Sequence, residues 1–436
     1  MNPLKTFLLI ASMSVYFLCP QSIIAQKNHN NYTPFMFTSS IFMEGKEPNE
    51  QTIDSIIQLQ SALSSLDLEE IKYWNSAYPN YRWHQLLMDI SNAHKGHKNG
   101  ARVVIMHLAI YDALVTISNY STDRTSKRPF ELNSGVKLFA KNKSTSSLCE
   151  WSAAAGAASQ IISYYFPDQS HKVDSCLQAF KLNRLRSGTQ YANEINASIE
   201  VGKEVAAQYI AYAKTDRTAD TWEGEVPIGK NKWKGIPSKW DPMKAKWKPL
   251  TLDSNDQFRP GPPPSDWEAE MQELREFQEN HKRSNIAWKW RTEPVWDDLL
   301  ERKILEYDLN PMQAAYASAL FHASRYEATI VAWDGKYHYW TIRPFQYDPG
   351  FKPYLIDTPN FPGYPAGHTT VAGSVAEALS HIFPLDHKEF ELLAKECSES
   401  RFEGGVHFRT DNEVGLEIGS QVGEFVIKRF QKLSPR

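Results

Sequence analysis

The chain of 436 residues has little cysteine and no large excess of charge of either sign. Its four cysteines show no CxxC or zinc-ligand spacing, so nothing in the sequence indicates a disulfide scaffold or a thiol nucleophile. Lys plus Arg number 48 against 51 for Asp plus Glu, which gives no global field for a polyanion such as DNA. An anion site must therefore be built locally. With 42% apolar and 23% charged residues, the composition excludes a disordered, collagenous or coiled-coil chain.

Long apolar runs are absent after the first 25 residues. Lys5 precedes the apolar run 7–18, and a small residue, Ala25, follows shortly after. This pattern predicts a secretory signal peptide cleaved near Ala25, and a mature protein that is secreted or periplasmic without stable membrane insertion. Cleavage leaves three cysteines: Cys149, Cys176 and Cys397. At most one disulfide can form within the chain, and pairing of the first two stays open.

Strand-like alternation is nearly absent from the sequence. Apolar residues recur instead at spacings of three and four in the segments 51–66, 101–118, 151–166, 192–213, 267–281, 311–333, 367–383 and 411–430. Asn310, Pro311 and Gln313 form a helix-start signal, and Thr410 with Glu413 repeats the capping box. The sequence therefore predicts an all-α protein made of helical bundles.

One segment, residues 227–264, cannot continue a helix because it contains eight prolines. Its tryptophans alternate with lysines, a pattern that can bind single-stranded nucleic acid. The slightly acidic balance of a secreted protein argues against that partner, so we expect a loop packed on the helices that walls a pocket. The predicted organisation is a signal peptide (1–25), an N-terminal helical half (26–226), this Pro/Trp/Lys loop, and a C-terminal helical half (265–436).

The C-terminal half contains three short motifs with charged residues. The first, KYHYWTIRP at 336–344, places Lys336 and Arg343 seven residues apart on one helix face. Pro344 disfavours helical geometry at the preceding arginine, so the helix should end there. Two cations at a helix end often only complement its dipole.

The second motif, FPGYPAGH at 361–368, is a proline-broken turn that opens a helix. Gly367 lets the main chain approach a ligand, and the helix start directs free N–H groups at an anion beside His368. The third, SRFEGGVH at 400–407, places Arg401 and His407 on either side of a glycine turn at another helix start. Each motif alone has an ordinary structural explanation.

In this order the three motifs resemble the signature K-x6-RP, PSGH, SR-x5-H of one superfamily. It unites vanadium-dependent haloperoxidases with bacterial class A acid phosphatases and type-2 phosphatidic acid phosphatases. The matching residues are Lys336, Arg343, Pro344, Pro365, Gly367, His368, Ser400, Arg401 and His407. Segments 101–115 and 313–343 also look like helices of bacterial haloperoxidase homologues. The chain departs from the pattern at Ala366, which replaces the usual serine, and at Ile342, where an aromatic residue often precedes RP.

The resemblance implies a site for a tetrahedral oxyanion, either vanadate as a cofactor or the phosphate of a phosphate ester. Lys336, Arg343 and Arg401, helped by the Gly367 amide, would hold the equatorial oxygens. Permanent cations and helix starts suit such an anion because they supply charge-assisted hydrogen bonds.

The resemblance also implies two catalytic histidines. His407 would be the axial ligand of vanadate in a haloperoxidase, or the nucleophile that forms a phosphohistidine in a phosphatase. His368 would be the acid–base in both, and Lys336 would polarise hydrogen peroxide during oxidation of halide to hypohalous acid. Phe361 stands where chloroperoxidases of the family carry phenylalanine, which favours the haloperoxidase and marks a halide pocket. A secreted acid phosphatase and a non-catalytic oxyanion-binding relative stay open as alternatives.

Four further polar residues have possible roles that the sequence defines less specifically. Asp334 and Glu403 are candidates to orient Arg401 or Lys336. His107 and Asp112, which lie in a strongly apolar segment, are expected to be a satisfied buried pair rather than catalysts.

Overall fold

The protein is helical throughout the part of the chain that the structure describes. The computed structural model describes residues 32–39, 50–95, 100–120, 127–139, 149–353 and 358–432. Within these ranges there are sixteen α-helices and no strand beyond one isolated bridge between Lys232 and Thr341. The prediction of an all-α protein is confirmed. The predicted signal peptide lies outside the described residues.

The helices of the N-terminal half are α1 (Glu50–Ser61), α2 (Ser65–Asn75), α3 (Tyr81–Ala93), α4 (Arg102–Tyr120), α5 (Pro129–Leu132), α6 (Glu150–Tyr165), α7 (Ser170–Arg186) and α8 (Ala192–Ala213). Those of the C-terminal half are α9 (Glu268–Glu276), α10 (His281–Thr292), α11 (Val295–Glu306), α12 (Pro311–Tyr339), α13 (Pro344–Tyr347), α14 (Gly367–Ile382), α15 (His387–Glu403) and α16 (Arg409–Lys432). Short 3₁₀ helices occupy Pro167–Gln169, Pro242–Lys246 and Pro384–Asp386.

The 29-residue helix α12 lies at the centre of a core that both halves share. It packs against α4, α14 and α16, and most of its residues are buried. Its start follows the predicted capping box, in which the Asn310 side chain accepts from the Gln313 amide and the Gln313 side chain accepts from the Asn310 amide. Its last turn carries Lys336, and the chain leaves the helix through Trp340 in the left-handed conformation. The core thus fixes the position of Lys336.

The Pro/Trp/Lys loop lies along α12. The Trp233 amide donates to the Trp340 carbonyl at 2.7 Å, and the Trp247 ring stacks on Tyr326 with the ring planes 8° apart. Trp233 and Trp247 are buried, so neither ring is available to stack on a nucleic-acid base. The loop therefore acts as a packed cover of the central helix.

Helix α4 is the described helix that is long and apolar enough to cross a membrane, and 78% of its apolar window is buried inside the protein. Its Asp112 accepts hydrogen bonds from three main-chain amides and from the Tyr209 hydroxyl. His107, also in α4, contacts His84 and Asn80 instead. Both residues are buried as expected, but they do not pair with each other.

The three described cysteines are free thiols. Cys149 and Cys397 are buried and Cys176 is half-buried. The disulfide between Cys149 and Cys176, which the sequence left open, is not formed.

Helices α14 and α16 approach each other closely at glycines. A Cβ atom on Gly419 would lie 2.2 Å from the Thr370 carbonyl oxygen, so the main chains would have to move apart. We expect Gly419→Ala to lower the free energy of unfolding by about 1–3 kcal/mol, measured by chemical denaturation. Gly261→Ala is the matched control because a Cβ there meets no atom within 4 Å. Equal stability of the two variants would contradict the close approach.

Candidate oxyanion site

The three motifs meet in the interior of the C-terminal half, between the ends of α12 and α15 and the starts of α14 and α16. Lys336 lies in the last turn of α12 and Arg401 in the last turn of α15. His368 lies in the first turn of α14, and His407 precedes α16. Helices α12, α14 and α16 match predicted segments, whereas α15, which carries Arg401, was not predicted. Helix α12 ends at Tyr339, so Arg343 lies beyond it, immediately before α13, and not on the helix face where the sequence placed it.

Lys336 is completely buried, and its ammonium group is held by the second motif. Its Nζ donates to the carbonyl oxygens of Pro362 at 2.9 Å and Gly363 at 2.5 Å. An ammonium group has three N–H donors, so this arrangement leaves one for a ligand.

Arg343 joins the second motif to the third. Its Nε donates to the Phe361 carbonyl at 2.7 Å, and its Nη1 donates to the Val406 carbonyl at 2.7 Å. The same Nη1 lies 3.4 Å from Nε2 of His407. The Phe361 ring centroid lies 5.1 Å from Cζ of Arg343 and 5.4 Å from Nζ of Lys336, so the ring faces both cations.

Arg401 is held from the opposite side by α10. Its Nη2 donates to the Ala287 carbonyl at 2.7 Å, and its Nε donates to the Ser400 hydroxyl at 3.2 Å. Its charge lowers the pKa of both His368 and His407.

No carboxylate pairs with these three cations among the residues that the structure describes. Lys336, Arg343 and Arg401 donate only to carbonyl oxygens, a hydroxyl and a ring nitrogen. Burial lowers the pKa of Lys336, the charge of Arg343 lowers it further, and Asp411 opposes both. Of the three buried cations, Lys336 and Arg343 face the carboxylate of Asp411 without a direct hydrogen bond to it, and buried charges that are incompletely compensated are costly, so a bound anion would stabilise this arrangement.

Asp334 and Glu403, the candidates to orient Lys336 or Arg401, form no hydrogen bond with either cation. Asp334 binds Arg259 through two hydrogen bonds of 2.6 and 2.8 Å. Glu403 lies 3.3 Å from Arg283 at the surface. Both expectations were wrong because each carboxylate has a cation of its own outside the site.

Asp411 orients His407, and the sequence analysis missed it. Its Oδ2 lies 2.9 Å from Nδ1 of His407 and accepts from the Phe408 amide at 3.2 Å. The carboxylate assigns the proton to Nδ1, so Nε2 keeps its lone pair on the side of Arg343. Burial, followed by the charges of Arg343 and Lys336, lowers the pKa of His407 well below its usual range. The available signal was an acidic residue four positions after a histidine at a helix start.

The predicted capping box of Thr410 and Glu413 is not formed. The Thr410 amide and hydroxyl both donate to the carboxylate of Glu270, and α16 begins at Arg409, two residues before the predicted start at residue 411. Asp411 supplies the local hydrogen bond to the helix start instead. Thr410 therefore binds Glu270, which is distant in sequence, and not the nearby Glu413.

His368 opens into a cavity of about 430 Å³ between α10, α11, α12 and α14. The cavity walls include Trp290, Trp296, Trp333, Val371 and Cys397. The His368 side chain is accessible from this cavity although protein surrounds it. That enclosure, followed by the charges of Arg401 and Lys336, lowers the pKa of His368 to about 3. The neutral imidazole can accept a proton from a molecule in the cavity.

The start of α14 packs closely at Gly367. A Cβ there would lie 3.0 Å from the Trp333 ring and 3.5 Å from Cε of Lys336. A side chain at this position would therefore press on Trp333 beside the Lys336 side chain. The cavity walls from α10 and α11 had no signal in the sequence, because tryptophans in a helix more often mark a core.

Ala366, the departure from the motif, is the residue immediately before α14, and its side chain makes no capping hydrogen bond. We expect Ala366→Ser to raise vanadate affinity roughly ten-fold, since a hydrogen bond to a charged group contributes about 1.5–3 kcal/mol. A serine there can instead accept from a helix amide, which would stabilise the fold by about 1 kcal/mol. Vanadate dissociation constants in phosphate-free buffer, measured together with thermal denaturation, distinguish a hydrogen bond to the anion from a hydrogen bond to the helix. Higher thermal stability with unchanged affinity would show that the hydroxyl does not face the anion.

Comparison with known proteins places this arrangement in a known fold. Residues 381–435 match the family model of the VCPO second helical-bundle domain. No curated protein matches the sequence.

Solved structures of bacterial vanadium-dependent enzymes resemble most of the chain. An iodoperoxidase aligns with a TM-score of 0.57 at 20% identity, covering 88% of this chain and 98% of its own. A holo-type chloroperoxidase aligns with a TM-score of 0.56 at 13% identity, covering 82% and 93%. An apo-type chloroperoxidase aligns with a TM-score of 0.57 at 14% identity, covering 77% and 93%. The resemblance stated from the three motifs is thereby confirmed, and the chain has the helical-bundle fold of the vanadium haloperoxidases.

Proposed function

We propose that the protein is a vanadate-dependent haloperoxidase that uses hydrogen peroxide to oxidise halide to hypohalous acid. The observation that carries the proposal is the set of three buried cations without a carboxylate hydrogen bond among the described residues, beside His407, whose Nε2 faces Arg343 at 3.4 Å. The likeness to bacterial iodo- and chloroperoxidases supports the same reading at the level of fold. We further propose that the mature protein is secreted or periplasmic after cleavage near Ala25.

The residues present fit vanadate. Lys336, Arg343 and Arg401 would compensate its charge, and the Gly367 amide at the start of α14 would donate to one of its oxygens. His407 would bind it through Nε2. When bound, vanadate would act as a Lewis acid that activates peroxide for attack by halide.

The protein's own groups would control protons and access. His368, neutral in the anion-free site, would take a proton from peroxide as it enters from the cavity. Lys336 would direct its remaining N–H at the bound oxyanion and stabilise negative charge there. The tryptophans of the cavity wall would limit water, and Phe361 would border the halide beside the two cations.

A phosphatase is the second candidate, because the same cations would hold phosphate. The hydrogen bond from Nδ1–H of His407 to Asp411 would also suit a histidine nucleophile that attacks through Nε2 and forms a phosphohistidine. The substrates would then be phosphate esters, and no cofactor would be needed. A non-catalytic oxyanion-binding protein is the third candidate, because Ala366 replaces the usual serine of the second motif.

One experiment separates these readings. The purified mature protein is incubated with orthovanadate and assayed for peroxide-dependent halogenation, and the apoprotein is assayed for phosphate-ester hydrolysis. We expect halogenation only with vanadate, and loss of it in Arg343→Gln. Arg429→Gln is the matched control, since Arg429 pairs with Asp253 at the surface outside the site. Ester hydrolysis without halogenation would establish the phosphatase, and binding of phosphate with neither activity would establish the non-catalytic reading.

Anion binding should be linked to proton uptake by His368. The pKa of this imidazole is about 3 in the anion-free site, partly because cations face it, so it is neutral at pH 6. A bound dianion offsets those cations and raises the pKa towards or above the usual value of about 6.5. We therefore expect sulfate to bind more tightly as the pH falls from about 7 to 5, with uptake of up to about one proton at pH 6.

Calorimetry in two buffers of different ionisation enthalpy measures this proton uptake directly, and sulfate itself does not titrate in the range. His368→Gln keeps a polar side chain of similar size without an ionisable ring. Equal proton uptake by this variant and the wild type would show that another group titrates.

A further inference from the structure

A second group of histidines lies in the core, away from the three motifs. His84 of α3, His107 of α4 and His322 of α12 each offer one ring nitrogen, and these nitrogens lie within 4.8 Å of one another. His322 precedes Lys336 by fourteen residues on α12. At 1.5 Å per residue this is a separation of roughly 21 Å, so the histidine cluster is distinct from the oxyanion site.

The rings of the histidine cluster are closely packed, and one nitrogen lacks a partner. Nδ1 of His84 lies 2.9 Å from Nε2 of His107, and the rings of His107 and His322 stack with centroids 4.3 Å apart. His322 is 3% exposed, and its Nδ1 is buried without a hydrogen-bond partner in the part of the chain that the structure describes. A buried polar atom in this state is costly, and coordination to a cation would satisfy it.

We propose that His84, His107 and His322 bind one divalent transition-metal ion, with zinc as the reference ion. Three neutral imidazoles are a ligand set that zinc, copper and nickel prefer over magnesium or calcium. The ligands come from three helices, two in the N-terminal half and one in the C-terminal half. The bound ion would therefore fasten α3 and α4 to the central helix α12.

The space at the histidine cluster is the size of an ion. A cavity of about 10 Å³ lies among the three histidines and is also bordered by Asp297 and Glu301. That volume admits about one water-sized particle and excludes an organic ligand. The two carboxyl groups at its edge would favour a divalent cation by charge, while Arg325, bound to Asp297 at 2.8 Å, is the opposing cation.

The protonation of the histidine cluster suits metal binding. Burial lowers the pKa of all three histidines, and mutual repulsion lowers those of His107 and His322 further. For His84, Asp297 opposes the effect of burial and Arg325 adds to it. At neutral pH the rings are therefore uncharged, and their lone pairs are available without competition from protons.

Asn80 can support the ligand form of His107. Its Nδ2 lies 3.3 Å from Nδ1 of His107 and donates to the Ser318 hydroxyl at 2.9 Å, while its Oδ1 is buried without a partner. The side-chain amide of asparagine has a donor, the NH₂ group, and an acceptor, the carbonyl oxygen. Rotation of this amide would let Oδ1 accept from Nδ1–H while Nε2 binds the metal, an outer hydrogen bond that metal-binding histidines usually make.

The test is a zinc titration of the chelator-treated full chain, in buffer that contains saturating sulfate to occupy the oxyanion site. We expect one zinc ion per chain, a rise in thermal stability on binding, and at least ten-fold weaker binding in His84→Ala. His84 is half-buried, so this variant should fold, and His322→Gln provides a second measurement. His171→Ala, at an exposed position of α7, is the matched control and should bind zinc like the wild type.

Anomalous diffraction at the zinc edge then locates the ion. An ion within about 2.0–2.1 Å of the three ring nitrogens supports the proposal. Absence of bound zinc, equal affinity of the wild type and His84→Ala, or an ion found only at His368 and His407 would overturn it. Because the readouts are zinc affinity and position, the result does not depend on whether the enzyme oxidises halide.

Discussion

Replacing His407 by alanine should abolish vanadate binding, and with it halide oxidation. Nε2 of His407 is the proposed axial ligand, and no other described imidazole contacts Arg343 in the site. Removing partners that only orient a ligand typically costs about 10–100-fold in metal affinity, so loss of the ligand itself should exceed that range. Vanadate affinity by calorimetry, beside halogenation activity, measures the effect.

His368→Ala is the matched comparison, because it also removes a histidine that faces the site cations. This variant should still bind vanadate within a few-fold of the wild type, while turnover falls by about 10²–10⁴ as expected for a lost acid–base group. If both variants kept full activity, the assignment of the two histidines would be refuted. If His368→Ala lost vanadate binding and His407→Ala kept it, His368 would be the vanadate ligand and His407 the acid–base group.

Asp411→Ala should lower vanadate affinity and activity by about 10–100-fold although Asp411 does not contact the anion. Its carboxylate holds Nδ1 of His407 at 2.9 Å, and without it the ring can rotate and can carry its proton on Nε2. Burial raises the pKa of Asp411, and the charges of Lys336 and Arg343 oppose that effect. The carboxyl group is thus coupled to the cations as well as to the histidine.

Asp411→Asn separates orientation from general destabilisation. An asparagine keeps an oxygen that can accept from Nδ1–H and from the Phe408 amide, so part of the lost affinity should return. Thermal denaturation of both variants accompanies the binding measurement. If the asparagine variant bound vanadate as weakly as the alanine variant at equal stability, orientation of His407 would not be the role of this residue.

Helices with a local signal were predictable from the sequence. The start of α12 depends on Asn310, Pro311 and Gln313, which interact within one turn, and the structure contains that capping box. Helix α10, with the sequence HKRSNIAWKWRT, was missed because it buries only Ala287 and Trp290, too few apolar positions to show a helical period. The capping box predicted at Thr410 was wrong for a different reason, since the side chain that binds Thr410 is Glu270, which is distant in sequence.

The motif residues of the site were predictable, but most of their partners were not. Lys336, Arg343 and His407 were identified because the three motifs in their order resemble the signature of one superfamily, and the structure brings them together. Their roles in catalysis stay predictions. Which carboxylate would accompany them depended on tertiary packing, so Asp334 was considered and Asp411 was not. The cavity wall likewise arises from helices that carry no motif.

The cations of the site are held almost wholly by main-chain carbonyl oxygens, and this bears on how the site can evolve. Every residue has a carbonyl oxygen whatever its side chain, so the acceptors at Ala287, Phe361, Pro362, Gly363 and Val406 survive most substitutions at those positions. Selection on anion binding then acts on few side chains and on the path of the backbone. Lineages can diverge until little sequence identity is left while the anion cage persists, because the fold itself transmits it.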